Sequence, residues 1–65
     1  MEILTWHMRR ERGLTLIHLS ALCGISKTTL NDIENGKTSP TLRQLEQIAR
    51  ALNCRISDLY ESEYK

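Results

Sequence analysis

Residues 25–36 have the sequence ISKTTLNDIENG, which has the ends of a short helix but few apolar residues. Ser26 is a residue type that caps helix starts, and Gly36 is one that ends helices. Leu30 and Ile33 are three positions apart, so they lie on one side of this helix. The sequence therefore predicts a helix with a narrow apolar face and an outer face of threonine, lysine, asparagine and aspartate.

Gly24 separates this helix from the more apolar segment that precedes it. A tight turn between two helices favours glycine, because glycine adopts positive φ without a steric penalty. Apolar residues on both sides of the turn can hold the two helices at a steep angle: Leu19, Cys23, Ile25, Leu30 and Ile33. This spacing is typical of a helix-turn-helix, whose second helix is free to present a polar face to the major groove of DNA.

The remaining chain also divides into short helical segments. Five residues separate them: Gly13, Gly24, Gly36, Pro40 and Asn53. The segment after Pro40 is the clearest helix, because Thr41 and Gln44 have capping-box spacing. Its apolar residues form one stripe: Leu42, Leu45, Ile48, Ala49 and Leu52. A last helical turn is predicted from Ser57 to about Glu61. Together these five segments predict one all-α domain over residues 1–65, a compact bundle of five helices.

Length and composition limit the classes of function. A domain of 65 residues buries only about 60% of the surface of its unfolded chain, so an enclosed substrate pocket is not expected. The first residues, MEILTWHMRR, lack the basic start and apolar run of a signal peptide, and we expect a soluble cytoplasmic protein without a membrane partner. The net charge is +1, so DNA binding would depend on where the charges lie.

Metal binding and catalysis are not expected from the sequence. Four residues could in principle ligate zinc: His7, His18, Cys23 and Cys54. No pair of them has the spacing of a zinc site, so no metal or cofactor is predicted. Asp32 and Glu34 are two positions apart on a helix and point to different sides, and no nucleophile lies beside a base. The sequence therefore indicates a binding protein and not an enzyme.

Several motifs together extend over nearly the whole chain: RERGLT (10–15), the helix-turn-helix, IENGK (33–37), SP (39–40) and LEQIARAL (45–52). With these motifs the sequence resembles the Cro/C1-type (XRE-like) helix-turn-helix family of bacterial and phage regulators. The resemblance implies a lambda-repressor-like fold of five helices, with the helix-turn-helix at about residues 15–35. Within it, residues 15–23 would form the supporting helix and residues 27–35 the helix that contacts DNA.

The resemblance also implies roles for individual residues. The positions that face base edges correspond to Lys27, Thr28, Asn31 and Asp32. The positions that hold phosphates correspond to Thr15, Leu16, Asn35, Lys37 and Arg43, and the loop residues Thr38 and Ser39 add donors beside the same helix. Many family members have glutamine at the position of Leu16, where it hydrogen-bonds to a phosphate and to a base-contacting residue. Leucine can form neither of these hydrogen bonds. Asp32 also departs from the family pattern, because many members have a neutral or basic residue at this position. A carboxylate here either accepts a hydrogen bond from the N4 amino group of cytosine or points away from DNA.

Arg9 and Glu34 correspond to a pair that commonly forms an internal salt bridge in this family. Other apolar residues fall partly outside the predicted core: Ile3, Trp6, Ile17, Leu22, Tyr60 and Tyr64. Such a surface predicts a partner, either another protein or, most simply, a second copy that places two DNA-contacting helices about 34 Å apart. We therefore expect a homodimeric repressor of transcription that binds double-stranded DNA. The alternative is a helical protein-interaction module that has lost DNA affinity.

Overall fold

Four α-helices form most of the chain in the computed structural model, which describes residues 1–65. They are α1 (Thr5–Glu11), α2 (Leu16–Cys23), α3 (Lys27–Glu34) and α4 (Leu42–Leu52). One turn of 3-10 helix, Ile56–Leu59, follows α4, and β1 (Glu2–Ile3) pairs with β2 (Tyr60–Glu61) in an antiparallel ladder. The predicted all-α helix-turn-helix fold is confirmed, but the predicted count of five α-helices is wrong.

The last segment differs from the helix predicted at residues 57–61. Helical backbone ends at Leu59, and Tyr60 is extended, with φ −151° and ψ 159°. Tyr60 lies opposite Ile3 in the ladder, and the carbonyl oxygen of Leu59 accepts from the Leu4 amide at 2.8 Å. Backbone groups near the two ends of the chain thus satisfy each other, whereas a single isolated helical turn is unstable in water.

The hydrophobic core lies between α2, α3, α4 and the 3-10 turn. Its members are Leu19, Cys23, Ile25, Leu30, Leu45, Ile48, Ala49, Leu52 and Leu59. The prediction that Leu42 belongs to this core is wrong, because its side chain is 77% exposed. As the first residue of α4, Leu42 lies one turn before Leu45, where the buried face of the helix begins. None of the helices is long and apolar enough to cross a membrane.

The start of α4 matches its prediction. The Thr41 hydroxyl oxygen accepts from the Gln44 amide at 3.0 Å, and the Gln44 side chain accepts from the Thr41 amide at 3.0 Å. This reciprocal pair satisfies two backbone donors that the first turn of a helix otherwise leaves free. Asn53 ends the helix in the left-handed conformation, with φ 53°. Both ends of the longest helix are therefore determined by residues next to it in sequence.

The turn between α2 and α3 is held by three hydrogen bonds. Gly24 is left-handed, with φ 78° and ψ 9°, and its amide donates to the Ser20 carbonyl oxygen at 2.9 Å. The Ser20 hydroxyl donates to the Ile25 carbonyl oxygen at 2.6 Å, and Gln47 Nε2 donates to the Cys23 carbonyl oxygen at 3.2 Å. The direction in which α3 leaves the turn is thus tied to both α2 and α4.

Replacement of Gly24 by a residue with a side chain should destabilise this turn. We expect Gly24→Ala to lower the free energy of unfolding by about 1–2 kcal/mol, because alanine is disfavoured at positive φ. A Cβ at this position would approach no atom more closely than Gln47 Nε2, at 4.0 Å, so the loss comes from the backbone conformation. Gly24→Asn should lose less, since asparagine tolerates this conformation, as Asn53 does. Urea unfolding measures the stability of both variants, and equal losses in the free energy of unfolding would contradict this explanation.

Candidate nucleic-acid interface

Helix α3 has one buried face and one exposed polar face. Leu30 and Ile33 are each only 1% exposed and attach the helix to the rest of the protein. Lys27, Thr28 and Asn31, three of the four predicted base-contacting residues, are exposed on the other side. A short helix with this division can be anchored by two apolar side chains while its polar face stays accessible to a ligand.

The start of α3 is capped by the residue before it, Ser26. The Ser26 hydroxyl oxygen accepts from the Thr29 amide at 3.1 Å and donates to the Thr29 hydroxyl oxygen at 2.9 Å. Thr29 is half-buried and held by Ser26, whereas the neighbouring Thr28 is exposed. The two threonines of this helix therefore have different environments, which their adjacent positions in the sequence do not reveal.

The predicted phosphate-contacting residues lie on three parts of the chain. Thr15 caps α2, Arg43 is in the first turn of α4, and the others lie at the end of α3 and in the loop after it: Asn35, Lys37, Thr38 and Ser39. All six are exposed. Thr15 accepts from the His18 amide at 3.1 Å, and a hydroxyl in this arrangement can still donate its own proton.

Leu16 and Asp32 are placed differently from these residues. Leu16 is half-buried and packs against the hydrophobic core, so its side chain is directed toward the interior of the protein. Asp32 is half-buried and takes part in neither of the two salt bridges of the structure. Its carbonyl oxygen accepts from the Lys37 amide at 2.9 Å, which connects the end of α3 to the following loop.

Arg9 and Glu34 meet in a bidentate ion pair. Arg9 Nε lies 2.7 Å from Glu34 Oε2, and Arg9 Nη2 lies 3.1 Å from Glu34 Oε1. The third nitrogen, Nη1, donates to the Leu14 carbonyl oxygen at 2.8 Å. The two side chains are 10% and 6% exposed, respectively. This pair joins the C-terminal end of α3 to α1 and to the α1–α2 loop, and such paired contacts define orientation as well as distance.

Residues 7–59 match the family described as helix-turn-helix. The chain is a helix-turn-helix protein of the Cro/C1 type. One relative is the HTH-type transcriptional regulator DdrOP3 of Deinococcus deserti, 37% identical over 83% of this chain and 42% of the relative. The Immunity repressor protein of Bacillus phage phi105 is 36% identical over 86% of this chain and 39% of its own length. An Uncharacterized HTH-type transcriptional regulator of Archaeoglobus fulgidus is 38% identical over 80% of this chain and 74% of its own length.

The chain thus matches less than half the length of the Deinococcus and phage relatives. The matched part includes α2, the turn at Gly24 and α3, which are the elements that carry the exposed polar face. Family membership therefore applies to the segment whose geometry is described above.

Three polar residues that connect parts of the fold were not predicted from the sequence. Ser20 and Gln47 brace the turn, and Arg12 Nε donates to the Leu52 carbonyl oxygen at 2.9 Å. Ser20 is a small hydroxyl residue within a mostly apolar helix, which is a weak signal of a buried hydrogen bond. Gln47 and Arg12 gave no such signal, because their partners are 24 and 40 residues away.

The two cysteine thiols are free. Cys23 is buried in the core, and Cys54 is half-buried beside it. Burial raises the pKa of the Cys54 thiol, nearby Asp58 raises it further, and Arg12 opposes this effect. The Cys54 thiol therefore stays protonated at neutral pH, in which form it is a poor nucleophile and a poor metal ligand.

Removal of one member of the Arg9–Glu34 pair should destabilise the protein. We expect Glu34→Ala or Arg9→Ala to lower the free energy of unfolding by about 3–5 kcal/mol, because the remaining charge is left buried without a partner. The double variant Arg9→Met, Glu34→Leu should lose less than the sum of the single losses, since it leaves no unpaired charge. Urea unfolding at low temperature measures all three, and an additive double variant would contradict this explanation.

Proposed function

We propose that this protein is a sequence-specific DNA-binding regulator of transcription that acts as a repressor and places α3 in the major groove. The observation that carries this proposal is the exposed polar face of α3, which lies opposite the buried Leu30 and Ile33. The major groove of B-DNA is wide enough for an α-helix, and the bases are distinguished there by hydrogen-bond donors and acceptors. Relatives named as transcriptional regulators and as a repressor support the same role.

The exposed face of α3 offers side chains suited to base edges. Lys27 donates to guanine O6 and N7, and the Asn31 carboxamide can both donate and accept. Thr28 is short enough to contact a base only when the helix lies close to the groove floor. Asp32 would accept from cytosine N4, the contact in the major groove that suits a carboxylate best. In this proposal these four residues carry sequence preference.

The surrounding residues would hold the DNA backbone. Lys37 and Arg43 supply positive charge on either side of the exposed loop hydroxyls of Thr38 and Ser39. Thr15 adds a hydroxyl at the start of α2, where free backbone amides favour an anion. Contacts of this kind position a protein on DNA without reading its sequence. Because the net charge is only +1, binding depends on this local arrangement.

A homodimer is the form we propose to bind DNA. An open groove of about 410 Å³ is lined by apolar residues from both ends of the chain and from α4, among them Met1, Ile3, Leu42, Tyr60 and Tyr64. Tyr64 is 90% exposed and Met1 is 88% exposed, whereas Ile3 and Tyr60 are half-buried. A second copy seated on this groove would cover these side chains and supply the additional phosphate contacts that a single small domain lacks.

Exposed apolar side chains outside this groove favour an additional protein partner. Ile17 and Leu22 of α2 are 64% and 61% exposed, and Trp6 of α1 is also exposed. A helix that is apolar on nearly all sides is usually covered by a neighbour. If DNA affinity were absent, these surfaces would make a protein-interaction module the better description of the chain.

Selection of bound duplexes from a random pool tests the proposed function. We expect enrichment of an inverted repeat whose half-site centres are about one helical turn, or about 10 base pairs, apart. That spacing follows from two α3 helices related by a two-fold axis. Enrichment of a single half-site would support DNA binding by a monomer and contradict the dimer. A pool without enrichment would contradict sequence-specific recognition.

Salt dependence tests the phosphate contacts. We expect the logarithm of the affinity to fall linearly with the logarithm of the salt concentration, and Lys37→Ala to reduce this slope by about 1, because one fewer counterion is released. Arg50→Ala is the control, because it also removes one positive charge. Arg50 lies at the opposite end of α4 from Arg43, so this variant should leave the slope unchanged. Fluorescence anisotropy on the selected duplex measures both, and a flat response to salt would favour the interaction module.

A further inference from the structure

The exposed face of α3 contains one hydrogen bond between two of its predicted DNA-contacting side chains. Asn35 Nδ2 donates to Asn31 Oδ1 at 3.2 Å, across one turn of helix. The Asn35 amide also donates to the Asn31 carbonyl oxygen at 3.0 Å, so the two residues are joined through backbone and side chain. Both side chains are exposed. Lys27, Thr28 and Asp32 have no comparable support from another side chain on this face.

The direction of this hydrogen bond leaves the two ends of the Asn31 carboxamide in different states. A carboxamide has two N–H donors on nitrogen and two acceptor positions on oxygen. Asn35 occupies one acceptor position of Oδ1 and turns that oxygen toward the end of α3. Both N–H groups of Asn31 Nδ2 have no partner in the protein, so Asn31 keeps two free donors but only one free acceptor position.

We propose that Asn35 is a positioning residue that determines which base Asn31 recognises. With Oδ1 engaged by Asn35 and both donors of Nδ2 free, Asn31 favours guanine, whose O6 and N7 are adjacent acceptors in the major groove. Without this support the carboxamide can rotate and present oxygen to the exocyclic amino groups of adenine or cytosine. This inference rests on the proposed DNA-binding function. It gives Asn35 a role in base preference, whereas the family resemblance implies a phosphate contact.

The two roles of Asn35 predict different consequences of substitution. A phosphate contact contributes equally to all sequences, so its loss would weaken binding without changing the preferred base. A positioning contact changes the base preference at the one position that Asn31 faces. Asn35→Asp separates the roles sharply, because a carboxylate only accepts hydrogen bonds. It would engage Asn31 Nδ2 and direct Asn31 Oδ1 outward.

The experiment begins with selected duplexes from the unaltered protein and from Asn31→Ala. The position that loses its preference in Asn31→Ala is the one that Asn31 faces, and we expect guanine there in the unaltered protein. Four duplexes that differ only at this position are then compared by competition. The unaltered protein should favour guanine about tenfold over adenine or cytosine. Asn35→Ala should reduce this ratio, and Asn35→Asp should invert it in favour of adenine or cytosine.

Thr38→Asp is the matched control for the added negative charge. It places a carboxylate in the exposed loop after α3, and Thr38 has no hydrogen bond to Asn31. This variant should weaken binding to all four duplexes by the same factor and keep the preference for guanine. If Asn35→Asp behaves in the same way as Thr38→Asp, the positioning role is wrong and the phosphate contact explains Asn35. A base other than guanine facing Asn31 in the unaltered protein would also overturn the inference.

Nuclear magnetic resonance of the free protein tests the orientation of Asn31 without DNA. In the unaltered protein the Nδ2 protons of Asn31 should exchange rapidly with water, and those of Asn35 more slowly. Asn35→Asp should slow the exchange of the Asn31 protons, because they would then donate to the new carboxylate. Failure to select any duplex would contradict the proposed function, whereas unchanged exchange in Asn35→Asp would contradict the positioning role alone.

Discussion

The orientation of α3 depends on a left-handed backbone at Gly24 that is braced from both neighbouring helices. Ser20 of α2 and Gln47 of α4 donate to carbonyl groups on either side of the glycine. At the other end of α3, the Arg9–Glu34 pair attaches the helix to α1. Because α3 buries only Leu30 and Ile33, its two ends provide the constraints that its narrow apolar face cannot.

This division of labour between helices fits the small size of the protein. A domain of 65 residues has few side chains to bury, and most of its core comes from α2, α4 and the 3-10 turn. The outer face of α3 can therefore remain polar without loss of the core. The small size of the protein also leaves apolar side chains exposed at the groove between the chain ends, which the proposed second copy would bury.

Sequence patterns identified those elements whose cause is local. The capping box of Thr41 and Gln44, the left-handed Asn53 and the glycine turn each involve residues within a few positions of one another. The prediction for Leu42 was wrong because periodicity assigns a residue to a helix face but does not show where along the helix the neighbouring elements begin. For the same reason, the pattern at residues 57–61 did not reveal that β1 pairs with this segment.

The sequence by itself determined the helix-turn-helix, the starts of α3 and α4 and the division of α3 into an apolar and a polar face, because these features follow from residue type and short spacing. Only the tertiary structure decided that Gln47 of α4 braces the turn and how the chain ends pair, since these contacts join residues far apart in sequence. It also decided the direction of the Asn35–Asn31 bond. Spacing of four residues permits that contact with either side chain as the donor, so spacing alone does not determine its direction.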